Sequence, residues 1–254
     1  MKKMIAILAA AMLLWGASAS ADTLDFLKPF WMQMMDGVSN TASGKVPENV
    51  AVTCADERLT VEACGVLLEN DYSAEAHVYA VLKNTGSERL PIRSVQMTVL
   101  GANGNTLHQE NYVSYMPSVV EPGETMLVSE WMYDFVKEIG KVDSIQISVE
   151  TASRVNEKWK QLGDVRAWLD GDYLCVEFTN TTEKTLFGVI CAATVSDANG
   201  QILDMMMQSP YDTDDLGIAQ GSSIVWRKRL EDAATLKIGT DAVCKAWAYW
   251  MEDL

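Results

Sequence analysis

Histidine is almost missing from this sequence. Only His77 and His108 occur in 254 residues, which gives a Ser-His-Asp hydrolase two possible bases and leaves a zinc site short of ligands. Absent too are a C-x-x-C pair, a G-x-S-x-G elbow, an H-E-x-x-H motif, a P-loop and a G-x-G-x-x-G turn. The usual signatures of serine hydrolases, zinc proteases and nucleotide enzymes are therefore excluded. Basic residues are scarce, with 20 Lys and Arg against 35 Asp and Glu and a formal net charge of −15. Such a chain repels phosphate backbones, because non-specific nucleic-acid binding requires Lys and Arg to displace counterions. Anionic membranes and polymers are disfavoured for the same reason unless a cation bridges them, and the plain consequence of the charge is solubility. A long apolar run is also missing. The longest, Met4 to Trp15, is shorter than the roughly 20 residues that a membrane span needs.

That run has a different reading. Lys2 and Lys3 precede it and Ala19-Ser20-Ala21 follows it, which is the three-part layout of a secretory signal peptide. Residues 1–21 are expected to be removed near Ala21, so that the protein is secreted without stable membrane insertion. The remaining 233 residues would carry a net charge of −17 and suffice for one or two domains. They hold five cysteines, Cys54, Cys64, Cys175, Cys191 and Cys244, an odd number that leaves at least one thiol unpaired. Cys54 and Cys64 flank a turn at 55–58, and an exported chain permits a disulfide between them. Strand register decides whether it forms.

The chain repeats itself. Residues 84–107, NTGSERLPIRSVQMTVLGANGNTL, align without a gap on residues 180–203, NTTEKTLFGVICAATVSDANGQIL, with nine identities in 24 positions. Unrelated segments of ordinary composition would share about one or two. The offset of 96 residues is too long for a solenoid unit and suits a whole small domain.

Within each copy the apolar period is two. Val78, Ala80 and Leu82 alternate with Tyr79, Val81 and Lys83, and Val95, Met97 and Val99 alternate with Ser94, Gln96 and Thr98. In the second copy Leu174, Val176 and Phe178, then Cys191, Ala193 and Val195, do the same. Period-two alternation over five to eight residues predicts strands. Asn103-Gly104 and Asn199-Gly200 lie between such runs and predict hairpin turns, because Gly takes positive φ without a Cβ clash. Further strands are expected at 106–116, 125–133 and 144–151, and at 202–208, 223–230 and 242–251. About seven short strands per hundred residues predict a Greek-key sandwich of the immunoglobulin-like kind. The fold class is thus all-β, with two tandem sandwich domains at 50–152 and 153–254. They follow the signal peptide and a segment at 22–49, in which Leu24 to Val38 predicts a short helix after Pro29 and residues 39–49 a polar linker.

An Asn-Thr turn, a strand, the Ala-Asn-Gly corner, a second strand and turns at Glu121-Pro122-Gly123-Glu124 and Ala219-Gln220-Gly221-Ser222 together resemble the FxLYD-type and related immunoglobulin-like modules of exported Gram-positive bacterial proteins. The resemblance covers Val78–Val128 and Leu174–Val225. Where that family carries L-Y-D, this chain has Val99-Leu100-Gly101 and Val195-Ser196-Asp197. The resemblance implies an extracellular accessory or interaction role and supplies no catalytic residues.

Candidate sites are few. His77 falls on a predicted strand at a solvent-facing position, His108 follows a hairpin strand, and both are read as exposed sheet residues. The densest acidic loop holds Asp212, Asp214 and Asp215, the residues that would ligate calcium if any did; no cofactor is expected. In the last strand, Trp247, Tyr249 and Met251 share one face, while Ala246, Ala248 and Trp250 share the other. Only one face can join the strand's own core, so the other meets solvent, the sister domain or a ligand, and Trp247, Tyr249 and Trp250 are the candidate ligand contacts. The sequence reads as a secreted, non-catalytic binding or adhesion module for an extracellular protein or glycan. The alternative is an accessory subunit docking to a larger assembly through its Met- and aromatic-rich N-terminal segment; an extracellular hydrolase comes third.

Overall fold

A computed structural model of the chain describes residues 45–70, 74–133, 135, 139–153, 158–208, 217–230, 236, 238–239 and 241–252. The signal peptide expected at 1–21, the helix expected within 24–38 and the candidate calcium ligands at 212, 214 and 215 lie outside these residues. The described residues form strands and a single 3-10 turn at Ile139–Lys141, with no α-helix among them.

The N-terminal half has two five-stranded sheets of different make-up. One sheet runs β1 (Lys45–Glu48), β3 (Leu59–Asn70), β4 (Ala74–Asn84), β9 (Thr125–Met132) and β7 (Ser114–Met116), in that spatial order. The other runs β2 (Ala51–Cys54), β10 (Val142–Thr151), β5 (Leu90–Gly101) and β6 (Thr106–Glu110), with the short β8 (Val119–Val120) pairing β5. All pairings in this half are antiparallel except that of β2 with β10. The alternation read from sequence places Val78, Ala80 and Leu82 against Val95, Met97, Val99, Ile145 and Ile147 in one buried cluster. One expected strand is divided. Residues 106–116 break into β6 and β7, which belong to different sheets, and the Glu110 carboxylate accepts the backbone N–H of Asn111 at the bend. Periodicity continues across such a crossing, so the sequence did not show it.

The C-terminal half has a sheet of β11 (Trp159–Gln161), β17 (Val243–Met251), β14 (Ile190–Ser196) and β15 (Ile202–Gln208), and a three-stranded sheet of β12 (Val165–Asp170), β13 (Tyr173–Thr179) and β16 (Ser223–Arg229). Leu174, Val176 and Phe178 of one sheet share a buried cluster with Cys191, Ala193 and Val195 of the other.

The repeated phrase builds the same hydrogen bonds twice. Asn84 and Asn180 are both fully buried. The Asn84 side-chain amide donates to the carbonyls of Glu88 and Val120, and that of Asn180 donates to those of Lys184 and Ile218. Each Oδ1 accepts a backbone N–H two residues on, from Gly86 and Thr182. At the Ala-Asn-Gly corners, the Gly104 and Gly200 amides donate to the carbonyls of Gly101 and Asp197, with φ of 71° and 86°.

The described residues lie in one compact unit, and the two halves share apolar packing. Leu67, Tyr79, Val81, Met116 and Leu127 of the N-terminal half belong to the same cluster as the C-terminal core. The β3–β4–β9 sheet is therefore covered on both faces. Gly65 makes close approach possible: a Cβ there would meet the Ile202 carbonyl oxygen at 1.9 Å. The Tyr249 hydroxyl donates to the Thr125 carbonyl, the Trp159 indole to the Ser118 hydroxyl and the Gln201 amide to the Glu48 carbonyl. Burial pushes the Tyr249 phenol well above its ordinary value, so it remains a donor.

This double covering corrects the reading of His77. Its parity opposes that of the Val78 core, but the opposing face is covered by the C-terminal half, and His77 is 8% exposed. His108 is half-buried.

Candidate ligand-binding site

Strand β9 turns Met126, Val128 and Met132 into the N-terminal core, so Ser129 and Trp131 stand on the opposite face. Register places Tyr79 beside Ser129 and His77 beside Trp131, with Ser114 of β7 on the other flank of Ser129. The C-terminal half covers this face around Val81 and Leu127 and then stops short. Exposure grows along the aromatic row, from Tyr79 at 4% through His77 at 8% to Trp131 at 39% and Tyr133 at 60%.

The rings are in register with one another. His77 and Trp131 have centroids 4.4 Å apart, and Trp131 stacks on Tyr133 at 5.3 Å with 15° between planes. The Trp131 indole N–H donates to Glu75 Oε2 at 2.9 Å, which fixes the ring's orientation. His77 Nδ1 and the Tyr79 hydroxyl lie 3.2 Å apart, within hydrogen-bond reach. Between the row and the C-terminal half opens a cleft of about 330 Å³, which Met205 and Lys228 close from the far side. That volume falls at the small end of the range for ligand clefts, about 300–1,000 Å³. Lys228 is held by Asp204 at 3.0 Å and by the Met205 carbonyl at 3.3 Å.

Glu130 lines the cleft with its carboxyl held above the usual carboxylate range. Desolvation is the main cause; the Ser114 and Trp131 backbone bonds oppose it, and the nearby Glu110 charge adds to it. The folded chain thus binds this proton more tightly than the unfolded chain does, and this group's contribution to stability falls as pH rises through the carboxylate range. Glu130→Gln is expected to flatten that fall and raise the melting temperature at neutral pH relative to wild type, while leaving acidic pH little changed. Melting curves from pH 4 to 8 check it; parallel curves for the two proteins would contradict the buried carboxyl.

The residues singled out from sequence lie elsewhere. Trp247 and Tyr249 are 9% and 0% exposed, and Trp250 is partly buried against the same C-terminal cluster. Their strand packs between the halves, which leaves Tyr249 no open ring face for a ligand. Cys54 and Cys64 are free, half-buried thiols, both pushed up by burial. Asp212, Asp214 and Asp215 fall outside the described residues. Trp131 and Tyr133 went unmarked, although the segment WMY closing the 125–133 run puts two aromatics two residues apart on one strand face.

No family model matches the chain, and no curated protein matches it. Among solved structures it is similar to red sea bream transglutaminase, at 13% identity and a TM-score of 0.19. That likeness covers 68% of this chain and 27% of the transglutaminase, and at this TM-score nothing further is carried over.

Proposed function

We propose that this protein is an exported, non-catalytic binding module that holds a glycan against the Trp131–Tyr133 platform. The reading rests on one observation: a part-exposed Trp131 that lines a cleft, is oriented by Glu75 and stacks on the exposed ring of Tyr133. Flat rings offer large apolar area to the C–H faces of a sugar at little conformational cost, and polar groups at the rim take its hydroxyls. Ser114, Ser129 and Glu130 are the rim groups here. The carboxylates of Glu75 and Glu130 favour a neutral or amino-bearing saccharide over an acidic one.

Export is inferred from the Lys2-Lys3, Met4–Trp15 and Ala19-Ser20-Ala21 layout. The paired sheets and the recurrence of the Asn84 bonds at Asn180 support two immunoglobulin-like units of the kind the FxLYD resemblance suggests. In this reading the row of rings binds and does no chemistry.

Tryptophan emission of the full chain, titrated with neutral β-linked oligosaccharides, tests the proposal. A bound saccharide is expected to shift the emission, and Trp131→Ala is expected to weaken binding about tenfold or more, given the worth of a stacked ring. Equal affinity of wild type and Trp131→Ala, or no response to any saccharide in the series, rejects the glycan platform.

A further inference from the structure

The outer face of the β12–β13–β16 sheet is chemically unlike the rest of this acidic chain. Antiparallel register sets Arg166, Glu177 and Val225 in one cross-strand row, Trp168, Cys175 and Arg227 in the next, and Asp170, Tyr173 and Arg229 in the third. Arg166 is spent, since it pairs with Glu177 and its guanidinium lies 5.3 Å from the Trp168 ring centre. Arg227 sits 4.8 Å over the Tyr173 ring. Stacking holds the guanidinium plane without using its N–H groups. Among the described residues, no hydrogen bond or ion pair engages the Arg227 or Arg229 side chains.

Strand β16 is also the last strand of its sheet among the described residues. Its outward residues, Val225, Arg227 and Arg229, are all exposed, whereas Lys228 turns inward to Asp204. A free strand edge presents backbone N–H and C=O groups ready to pair with an extended segment. Alternate side chains of such a segment recur every ~6.6–6.8 Å, the spacing of Arg227 and Arg229 themselves.

We propose that the β16 edge is a docking site for an extended acidic polypeptide added as a strand. Its carboxylates at alternate positions seat on Arg227 and Arg229, and an uncharged apolar residue two places further along meets Val225. The partner's pattern is therefore two Asp or Glu at i and i+2 followed or preceded by an apolar residue. The net charge of −15 does not forbid it, because charges farther away than about 8 Å are largely screened at physiological salt. Against an anionic glycan, the row of β16 backbone groups that no described strand pairs is what favours a peptide.

The test uses the full mature chain and fluorescein-labelled heptapeptides alternating Thr with Val-Glu-Glu, in both directions, with Gln-for-Glu and backbone N-methylated versions. Fluorescence anisotropy is expected to show binding of a Glu peptide that is about tenfold weaker for the Gln version, as expected for charge-assisted bonds to arginine. Arg227→Glu is expected to abolish binding, whereas Lys245→Glu, with the same change in net charge, is not. Arg227→Gln serves if the Glu variant melts early. Equal loss in Arg227→Glu and Lys245→Glu, undiminished binding of the N-methylated peptide, or preference for an oligouronate would each overturn the proposal. Trp131→Ala leaves this binding intact, so the outcome is separate from that of the aromatic cleft.

Discussion

Gly65→Ala is expected to lower the unfolding free energy by about 3 kcal/mol, near the upper end for overpacking of a well-fitted interior. In an ordinary strand the same change would stabilise by about 0.5–1 kcal/mol, because Gly loses more backbone freedom than Ala on folding. The sign reverses here because the new Cβ would fall 1.9 Å from the Ile202 carbonyl oxygen and 2.8 Å from its carbon. Both are main-chain atoms, so no side chain can swing away. β3 and β15 would have to separate, which loosens the shared packing of Leu67 and Leu127 with the C-terminal cluster. Urea unfolding compares the variant with Gly163→Ala, where an added Cβ meets nothing within 4 Å. If Gly65→Ala is as stable as that control, the halves do not meet at Gly65.

Asn84→Ala and Asn180→Ala are each expected to cost about 2–4 kcal/mol, since each removes two donors and an acceptor and strands buried carbonyls. The affected acceptors are Glu88 and Val120 in one half and Lys184 and Ile218 in the other. The two Asn networks share no partner, so the double variant is expected to be additive within about 0.5 kcal/mol. Asn→Asp is expected to cost more at neutral pH than Asn→Ala, because a carboxylate would face those carbonyl oxygens. Acidification should recover part of that loss. Denaturant midpoints measured at neutral and acidic pH decide it: a negligible loss at one Asn and a large loss at the other would break the equivalence of the two sites.

Much of the local structure was legible in the sequence because its causes are local. The strand expected at 202–208, from its spacing after the Asn-Gly corner, is Ile202–Gln208, and Gly104 and Gly200 adopt the positive φ that such a corner requires. The importance of Asn84 and Asn180 was visible only as an identity between copies. Their bonding partners Val120 and Ile218 lie 36 and 38 residues away, beyond any local pattern.

The candidate site was less legible. Alternation says that Trp131 and Val128 face opposite ways, but not which face another layer will cover. His77 illustrates the point, as its solvent-facing parity became an interior position. Trp247 and Tyr249 illustrate the converse: their large apolar surface suits a ligand platform and a packing surface equally well.

Strands β4, β9, β10 and β17, the Asn-Gly corners and the duplicated Asn-Thr phrase were legible in the amino-acid sequence itself, through backbone sterics and a two-residue period. Only the tertiary structure decided that both faces of β4 and β14 are buried, that Gly65 lies against Ile202, and that the aromatic row opens at Trp131 and Tyr133. The physical reason is distance along the chain. Burial depends on which remote segment arrives to displace water, and the period of a strand carries no record of that arrival.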